Sequence, residues 1–156
     1  MKGIRDFDIL DGVILVHTPR GDHSPIHEVP AVTIENTVDS TIKGYMYIAK
    51  EALAYFIKRK QGSLTFVVAD QPETLSSLDA VLSGGFHSLA DSLFRMYQNE
   101  PVIINGFETT GAQPEGYADF IVRTMTEKEK QPNGRWIHYT DRQGLFQSLN
   151  IAKLGK

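Results

Sequence analysis

The chain has 156 residues, of which 41% are hydrophobic and 22% are charged, with a formal net charge of -3 and no cysteine. This composition predicts one globular domain over residues 1–156, and it argues against a nucleic-acid-binding surface, disulfides and thiolate metal sites. No apolar run reaches about 18 residues, and the first ten residues, MKGIRDFDIL, carry charges. We therefore expect neither a membrane span nor a signal peptide, and we expect a cytoplasmic protein.

The first half of the chain alternates between apolar runs and helical periodicity. Residues 12–17 form a short continuous apolar run, which predicts a strand buried on both faces. Apolar residues then recur at helical spacing over 39–60, with Asp39 or Ser40 as the N-cap. A second buried strand is expected over 64–69.

The second half repeats the same alternation. The expected elements are a helix over 78–99, a strand over 102–105, a helix that begins at Pro114 with Ala118, Ile121, Val122 and Met125 on its core face, and a strand over 135–140. Alternating strands and helices predict an α/β fold, here a partial doubly wound, Rossmann-like parallel sheet of about four strands with right-handed crossover helices. No glycine-rich GxGxxG or GxxxGxG motif, which would hold a dinucleotide pyrophosphate, occurs.

Several segments carry a family resemblance through their order and spacing. Residues 10–19, LDGVILVHTP, correspond to a strand that begins with Asp and ends in Asn-Asn-Ala-Gly, and residues 41–44 correspond to Asn-Leu-x-Gly. Residues 62–69 correspond to a strand that leads to a catalytic serine, and residues 80–93, AVLSGGFHSLADSL, to a Tyr-x-x-Ser-Lys helix. Over about residues 10–139 the chain resembles the short-chain dehydrogenase/reductase family, truncated to the C-terminal part of its domain.

The resemblance implies that the catalytic tetrad of the family is lost. Thr41 stands in place of the asparagine, Ala69 of the serine, Ala80 of the tyrosine and Gly84 of the lysine. In the family the tyrosine exchanges a proton with the substrate oxygen, while the lysine lowers the tyrosine pKa and holds the nicotinamide ribose. General acid–base transfer alone contributes about 10²- to 10⁴-fold. We therefore expect no catalytic, cofactor-binding or metal-binding residue and no bound cofactor.

A different alignment would leave Tyr97 or Tyr117 as the proton donor, although both lie at the wrong end of a helix or in another helix. Asp70 follows a predicted strand at its carboxyl end, where open parallel sheets place their sites, so it is the candidate polar residue of this chain. A loop residue that caps its own turn is the alternative for Asp70. His87 and Asp91 are one helical turn apart and are interpreted as a surface pair.

The resemblance also implies a homodimer, because the related enzymes commonly associate through the two helices predicted here over 39–60 and 78–99. The predicted interface residues are a band on the first helix and small residues on the second: Gly44, Tyr47, Ile48, Tyr55, Gly84 and Ser88. No nucleic-acid or membrane partner is expected.

The strand over 12–17 would become a sheet edge if the nucleotide-binding half is absent. We expect residues 2–10, the loop over 22–30, or a strand of a protein partner to cover that edge. Two functions remain open. The first is a catalytically inactive, dimeric interaction or scaffold module. The alternative is a subunit or fragment of an NAD(P)-dependent oxidoreductase whose cofactor-binding half comes from another chain.

Overall fold

The structure is a computed structural model that describes residues 9–19, 24–69, 75–110, 113–127 and 132–140. Four strands form a parallel sheet in the order β1-β2-β3-β4. The elements are β1 (Gly12–His17), a 3₁₀ turn (Ile26–Glu28), α1 (Ala31–Val38), a π-helical turn (Asp39–Lys43), α2 (Gly44–Arg59), β2 (Ser63–Val68), α3 (Ser77–Met96), β3 (Ile103–Thr109), α4 (Pro114–Thr126) and β4 (Trp136–Tyr139). The predicted α/β class and four-stranded parallel sheet are confirmed. Among the described helices, none is both long and apolar enough to cross a bilayer.

The first helical segment starts earlier than the sequence predicts. It begins after Pro30, whose carbonyl oxygen accepts a hydrogen bond from the Thr33 amide at 2.9 Å. Asp39 has φ -64° and ψ -46°, so it lies inside the helical segment, and the prediction of Asp39 or Ser40 as N-cap is wrong. Helix α1 is rich in β-branched residues, which have low helix propensity. The sequence pattern therefore did not predict this helix.

The sheet is covered on both faces, but unequally. Helices α2 and α3 pack on one face, against Leu15, Phe66 and Val68. Helix α4 packs on the opposite face, against Val67 and Phe107. Since the strands follow one another in the same direction across the sheet, the connections through α3 and α4 have opposite hands. The expectation that every crossover is right-handed is therefore wrong for one of them.

Strand β1 was predicted to be buried on both faces and has one open face. Leu15 and His17 are buried beneath α2 and α3, whereas Ile14 is 49% exposed and Val16 52% exposed. Among the described strands β1 is paired on one side only, and α4 lies over the other end of the sheet. The prediction failed because a run of apolar residues does not reveal whether a helix reaches the second face.

The end of β3 and the buried face of α4 also differ from the prediction. Strand β3 continues to Thr109 rather than ending near 105, because residues 106–109 pair in parallel with β4. On α4 the buried residues are Tyr117 and Ile121, while the predicted core residues Ala118 and Val122 are exposed.

The hydrogen bonds between β1 and β2 show which backbone groups of β1 point away from the sheet. The carbonyl oxygens of Asp11 and His17 accept hydrogen bonds from backbone amides at the two ends of β2, at 3.1 and 3.0 Å. Backbone groups of successive residues in a strand point to opposite sides. The N–H and C=O groups of Gly12, Ile14 and Val16 therefore point away from the sheet.

Side chains of α2 bind the two ends of this outer edge. The Tyr45 hydroxyl donates to the Val16 carbonyl oxygen at 3.0 Å, and Arg59 donates to the Leu10 carbonyl oxygen at 2.7 Å. The Leu10 amide donates to the Tyr55 hydroxyl at 3.3 Å. Part of the edge is thus protected by helix side chains. Of the predicted cover, residues 2–8 and 22–23 lie outside the described residues, whereas residues 9–10 and 24–30 lie inside them.

Candidate functional site

The candidate site lies at the carboxyl end of the sheet, where open α/β sheets bind their ligands. Ala69 directly follows β2 there, and Thr41 lies in the π-helical turn. Ala80 and Gly84 lie on the exposed side of α3, and a Cβ atom added to Gly84 would have no described atom within 4 Å. The positions that the resemblance assigns to the tyrosine and lysine therefore present a methyl group and a bare backbone.

A buried histidine fills the neighbouring part of the site. His17 ends β1 and is 2% exposed. Its Nε2 atom lies 2.9 Å from the Ser83 Oγ atom, and its Nδ1 atom lies 3.3 Å from the Tyr45 hydroxyl. Its ring stacks on Phe86 with the centroids 5.3 Å apart. Strand β1 is thereby attached to both covering helices.

The hydrogen bonds define the tautomer of His17. The Tyr45 hydroxyl carries one proton and donates it to the Val16 carbonyl oxygen. At the Tyr45 contact the Nδ1 atom of His17 must then be the donor, so a neutral ring accepts at Nε2 from the Ser83 hydroxyl.

Burial lowers the pKa of His17 below its ordinary value of 6.5; the charge of Asp79 opposes this shift and that of His87 adds to it. In the unfolded chain His17 takes up a proton at a higher pH than in the folded chain. The stability contributed by the neutral ring is therefore complete above pH 6.5 and is lost as the pH falls from that value through the lowered pKa.

We expect the free energy of unfolding to decrease between about pH 7.5 and about pH 5, and the decrease to be smaller in the His17→Gln variant. Urea unfolding at the two pH values measures both. His27→Gln is the control, since the His27 side chain is 78% exposed. An identical pH dependence in wild type and His17→Gln would contradict the prediction.

The His17 and Ser83 pair has the geometry of a base and a nucleophile, but its surroundings do not suit that chemistry. Ser83 is 4% exposed, so its hydroxyl does not face solvent. A nucleophile must reach the substrate, and its developing oxyanion must find donors nearby. The pair is better understood as a buried hydrogen bond that fixes α3 on the sheet. A histidine at the end of a predicted strand was the sequence signal, but its two partners lie 28 and 66 residues away.

A second polar cluster lies between α3 and the last two strands. The Nε2 atom of His87 lies 3.3 Å from Glu108, and His138 lies 3.9 Å from the same carboxylate. Asp91 accepts a hydrogen bond from the Trp136 indole at 2.8 Å. His87 and Asp91 each bind a residue of the sheet, so their interpretation as a surface pair is wrong. Within the described residues, no group of three or more potential ligands is placed to hold a metal ion.

Neither alternative tyrosine suits the role of proton donor. Tyr117 lies on the opposite face of the sheet from α3, and its hydroxyl donates to the Val68 carbonyl oxygen at 3.2 Å. Burial, with the nearby charge of Glu108, raises the Tyr117 pKa, which disfavours the phenolate. Tyr97 follows the last residue of α3, far along the helix from Ala80. Asp70 lies outside the described residues.

The predicted interface residues lie mostly on the surface of α2 and α3. Tyr47 is 61% exposed and Ile48 41% exposed, and Gly84 and Ser88 are also exposed. Gly44 is half-buried. Tyr55 differs from the others, because its hydroxyl binds Leu10 and Arg59 within the chain.

Comparison of the fold with solved structures gives close matches. The chain superposes on a putative oxidoreductase from Escherichia coli K-12 with a TM-score of 0.71 and 13% identity, covering 87% of this chain and 64% of that one. It superposes on a 3-ketoacyl-(acyl-carrier-protein) reductase from Brucella melitensis in complex with NADH with a TM-score of 0.73 and 9% identity, covering 86% and 68%. A short-chain dehydrogenase from Leptospira borgpetersenii with bound NAD⁺ matches with a TM-score of 0.69 and 11% identity, covering 88% and 65%.

The described chain therefore has a short-chain dehydrogenase/reductase-like fold, and it spans about two thirds of the length of these structures. No family model and no curated protein sequence matches it. At this level of identity the likeness establishes the fold alone.

The described residues of this region do not fit a nicotinamide nucleotide. Ala80 and Gly84 offer no group that could bind a ribose hydroxyl. The nearby polar groups of His17, Tyr45 and Ser83 are bound to one another and to the backbone. No step of a hydride transfer can be derived from these side chains.

Proposed function

We propose that this chain is a catalytically inactive, short-chain dehydrogenase/reductase-like interaction module that forms a homodimer through α2 and α3. The proposal is supported by the exposed side of α3, which carries Ala80 and Gly84, the residues that the resemblance aligns with the proton donor and its activator. Neither residue has a group that transfers a proton. A cytoplasmic location belongs to the same proposal.

We expect the isolated chain not to bind NADH or NADPH at micromolar concentration, because its sequence has no glycine-rich phosphate-binding motif and Ala80 and Gly84 have no side chain that could bind a ribose hydroxyl. Titration calorimetry, or fluorescence of Trp136, measures this directly. One of the matched reductases that bind NADH serves as the positive control. One-to-one binding with a micromolar dissociation constant would overturn the inactive assignment.

The dimer part of the proposal is supported by an apolar surface on α2 and α3. Met46 and Tyr47 are adjacent residues of α2 and are 52% and 61% exposed, and Val81 of α3 is 64% exposed. A groove of about 370 Å³ runs between the two helices, lined by Met46, Leu53, Leu89 and other apolar residues. Exposed apolar side chains beside an apolar groove are typical of protein interfaces.

We expect Tyr47→Asp to weaken the dimer, because an unpaired carboxylate would be buried in the interface. Burial of such a group costs about 2 kcal/mol, and because each protomer carries one, the total of about 4 kcal/mol corresponds to a roughly 1,000-fold higher dissociation constant. Light scattering over a concentration series measures the change. Arg123→Asp, on α4 across the sheet, is the control and should leave the dimer intact. If light scattering shows that the wild-type chain is monomeric at micromolar concentration, the proposed dimer is wrong.

The alternative, an oxidoreductase subunit completed by another chain, is favoured by one observation. About a third of each matched structure has no counterpart in this chain. A completing chain could supply a phosphate-binding loop, but it would still meet Ala80 and Gly84. Turnover of NADPH by a purified complex with a second chain would favour the alternative.

A further inference from the structure

Helix α3 and the last two strands meet at a group of ionisable and aromatic side chains near the carboxyl end of the sheet. His87 belongs to α3, Glu108 to β3 and Trp136 to β4. The side chains of His87 and Glu108 are 27% and 30% exposed, so water reaches this pair without surrounding it. We name the three residues the His87 cluster.

The hydrogen bonds of His87 show which of its ring nitrogens carries a hydrogen. Its Nδ1 atom lies 3.0 Å from the carbonyl oxygen of Ser83, one turn earlier in α3. A carbonyl oxygen can only accept a hydrogen bond, so Nδ1 is the donor. In a neutral imidazole the other nitrogen, Nε2, then carries a lone pair and no hydrogen.

The Nε2 atom of His87 nevertheless faces a carboxylate. It lies 3.3 Å from the Oε2 atom of Glu108. An ionised carboxylate also only accepts, so a neutral ring would place two lone pairs against each other. A hydrogen bond at this contact requires one additional proton between the two atoms. Because imidazole is a stronger base than a carboxylate, that proton belongs to the ring, and His87 is an imidazolium in this arrangement.

The indole ring of Trp136 also favours a charged His87. The centroids of the two rings lie 4.6 Å apart, and their planes are inclined by 38°. A cation over the face of a tryptophan is attracted by the quadrupole of the ring. The Trp136 Nε1 atom donates a hydrogen bond to the Asp91 carboxylate at 2.8 Å, which holds the indole in place beside His87.

The other charged and titratable groups near His87 come from three elements. Strand β1 contributes His17, whose pKa is lowered by burial and also by the charge of His87. Helix α3 contributes Asp91, one turn after His87, and β4 contributes His138, whose side chain is 52% exposed and whose Nδ1 atom lies 3.9 Å from Glu108. Two carboxylates therefore act on His87 with an attractive sign, and the histidine on the β1 side is buried and favours its neutral form.

The position of the cluster gives the proton a structural effect. Strand β4 has four residues and lies at one end of the strand order, paired with β3. Its Trp136 contacts α3 through the hydrogen bond to Asp91 and the ring of His87. Without the additional proton the bond from His87 to Glu108 is lost, and the imidazole that covers one side of the indole is free to turn away.

We infer that the His87 cluster is a proton-dependent latch, in which protonated His87 joins α3 to β3 and packs on Trp136, and loss of the proton loosens β4 from α3. The contacts are complete below the pH at which the ring loses its proton and are lost above it. This inference goes beyond the proposed function, because it depends neither on the dimer nor on the absence of a cofactor.

Quenching of Trp136 fluorescence by acrylamide tests the inference in the full chain. Trp136 is the only tryptophan of the sequence, so the signal reports on this contact. The quenching rate constant is obtained from fluorescence lifetimes at about pH 5.5 and about pH 8.5, which lie on either side of the ordinary titration of imidazole. Loss of one hydrogen bond should raise the population with a released ring by at least about twofold. We therefore expect a higher rate constant at the higher pH, and equal values would overturn the inference.

Two substitutions in the cluster should remove the pH dependence in opposite ways. The side chain of His87→Gln binds no proton, so we expect the high rate constant at both pH values. The amide of Glu108→Gln can donate to the lone pair of a neutral His87, so the contact no longer needs the additional proton and the rate constant should be low at both pH values. A rate constant that still rises with pH in either variant would contradict the latch.

His138→Gln is the matched control, because His138 is the other histidine beside Glu108. We expect this variant to keep the pH dependence of the wild type, and its loss would assign the proton to His138 and overturn the inference. Circular dichroism at both pH values checks that each variant folds. If a variant does not fold, the wild-type comparison and the remaining variants decide. The readout is local because protonation of His17 changes the stability of the whole chain.

Discussion

The Phe86→Ala variant should lose about 3–5 kcal/mol of stability, the typical cost of removing a buried phenylalanine side chain. Phe86 is fully buried between α3 and the sheet. Its ring centroid lies 4.7 Å from that of Tyr45 and 5.2 Å from that of Phe66, and it stacks on His17. The substitution therefore opens a cavity at the point where β1, α2 and α3 meet, and it also removes the surface that holds the histidine ring.

Urea unfolding and thermal unfolding measure the effect, which for a chain of this size corresponds to a fall in Tm of about 10 °C. Met96→Ala on the same helix is the matched control, because Met96 is 72% exposed and its truncation should change stability by less than about 0.5 kcal/mol. A loss below about 1 kcal/mol for Phe86→Ala would show that this contact region is not a packed core.

The Gly62→Ala variant should lose about 2–5 kcal/mol. Gly62 has φ +144°, a conformation that other residues rarely adopt, and a Cβ atom there would overlap the ring of Phe56. Phe56 is fully buried, so its ring has no free space into which it could move. Backbone strain and overpacking therefore add in the turn between α2 and β2.

Gly84→Ala is the matched control, and we expect it to increase the stability of the chain rather than to decrease it. Gly84 lies inside α3, where a Cβ atom meets nothing within 4 Å, so the gain in helix propensity should stabilise the chain by up to about 1 kcal/mol. Both variants are best measured in the Tyr47→Asp background, so that changes at the proposed dimer interface do not enter. If the two glycine variants changed stability in the same direction, the steric explanation would fail.

Local patterns were sufficient for the elements themselves. The apolar runs located β1 and β2 within a residue or two, and the helical spacing located α3, whose start is fixed by Ser76 accepting a hydrogen bond from the Asp79 amide. Alternation of strands and helices was also enough to predict the parallel sheet. Strands and helices depend on residues that are close in sequence, so the spacing of apolar residues predicts them.

The candidate site was less predictable. The resemblance alone assigns Ala80 and Gly84 to the positions of a tyrosine and a lysine, and this assignment stays a prediction. The hydrogen bonds of His17 to Tyr45 and Ser83 are not visible in the sequence, because a histidine at a strand end has no pattern that names partners on two different helices. The same holds for the side chains of α2 that bind the outer edge of β1.

The sequence by itself determined most of the strands and helices and their order, and with them the prediction that Ala80 and Gly84 replace the family's tyrosine and lysine. Only the tertiary structure decided that α4 covers the opposite face from α2 and α3 and that Ile14, Val16 and Val122 border an open groove. The physical reason is that periodicity records how apolar residues are spaced along one element. Which face a helix covers depends on the hand of its connection, and this hand is set by packing between elements far apart in the chain.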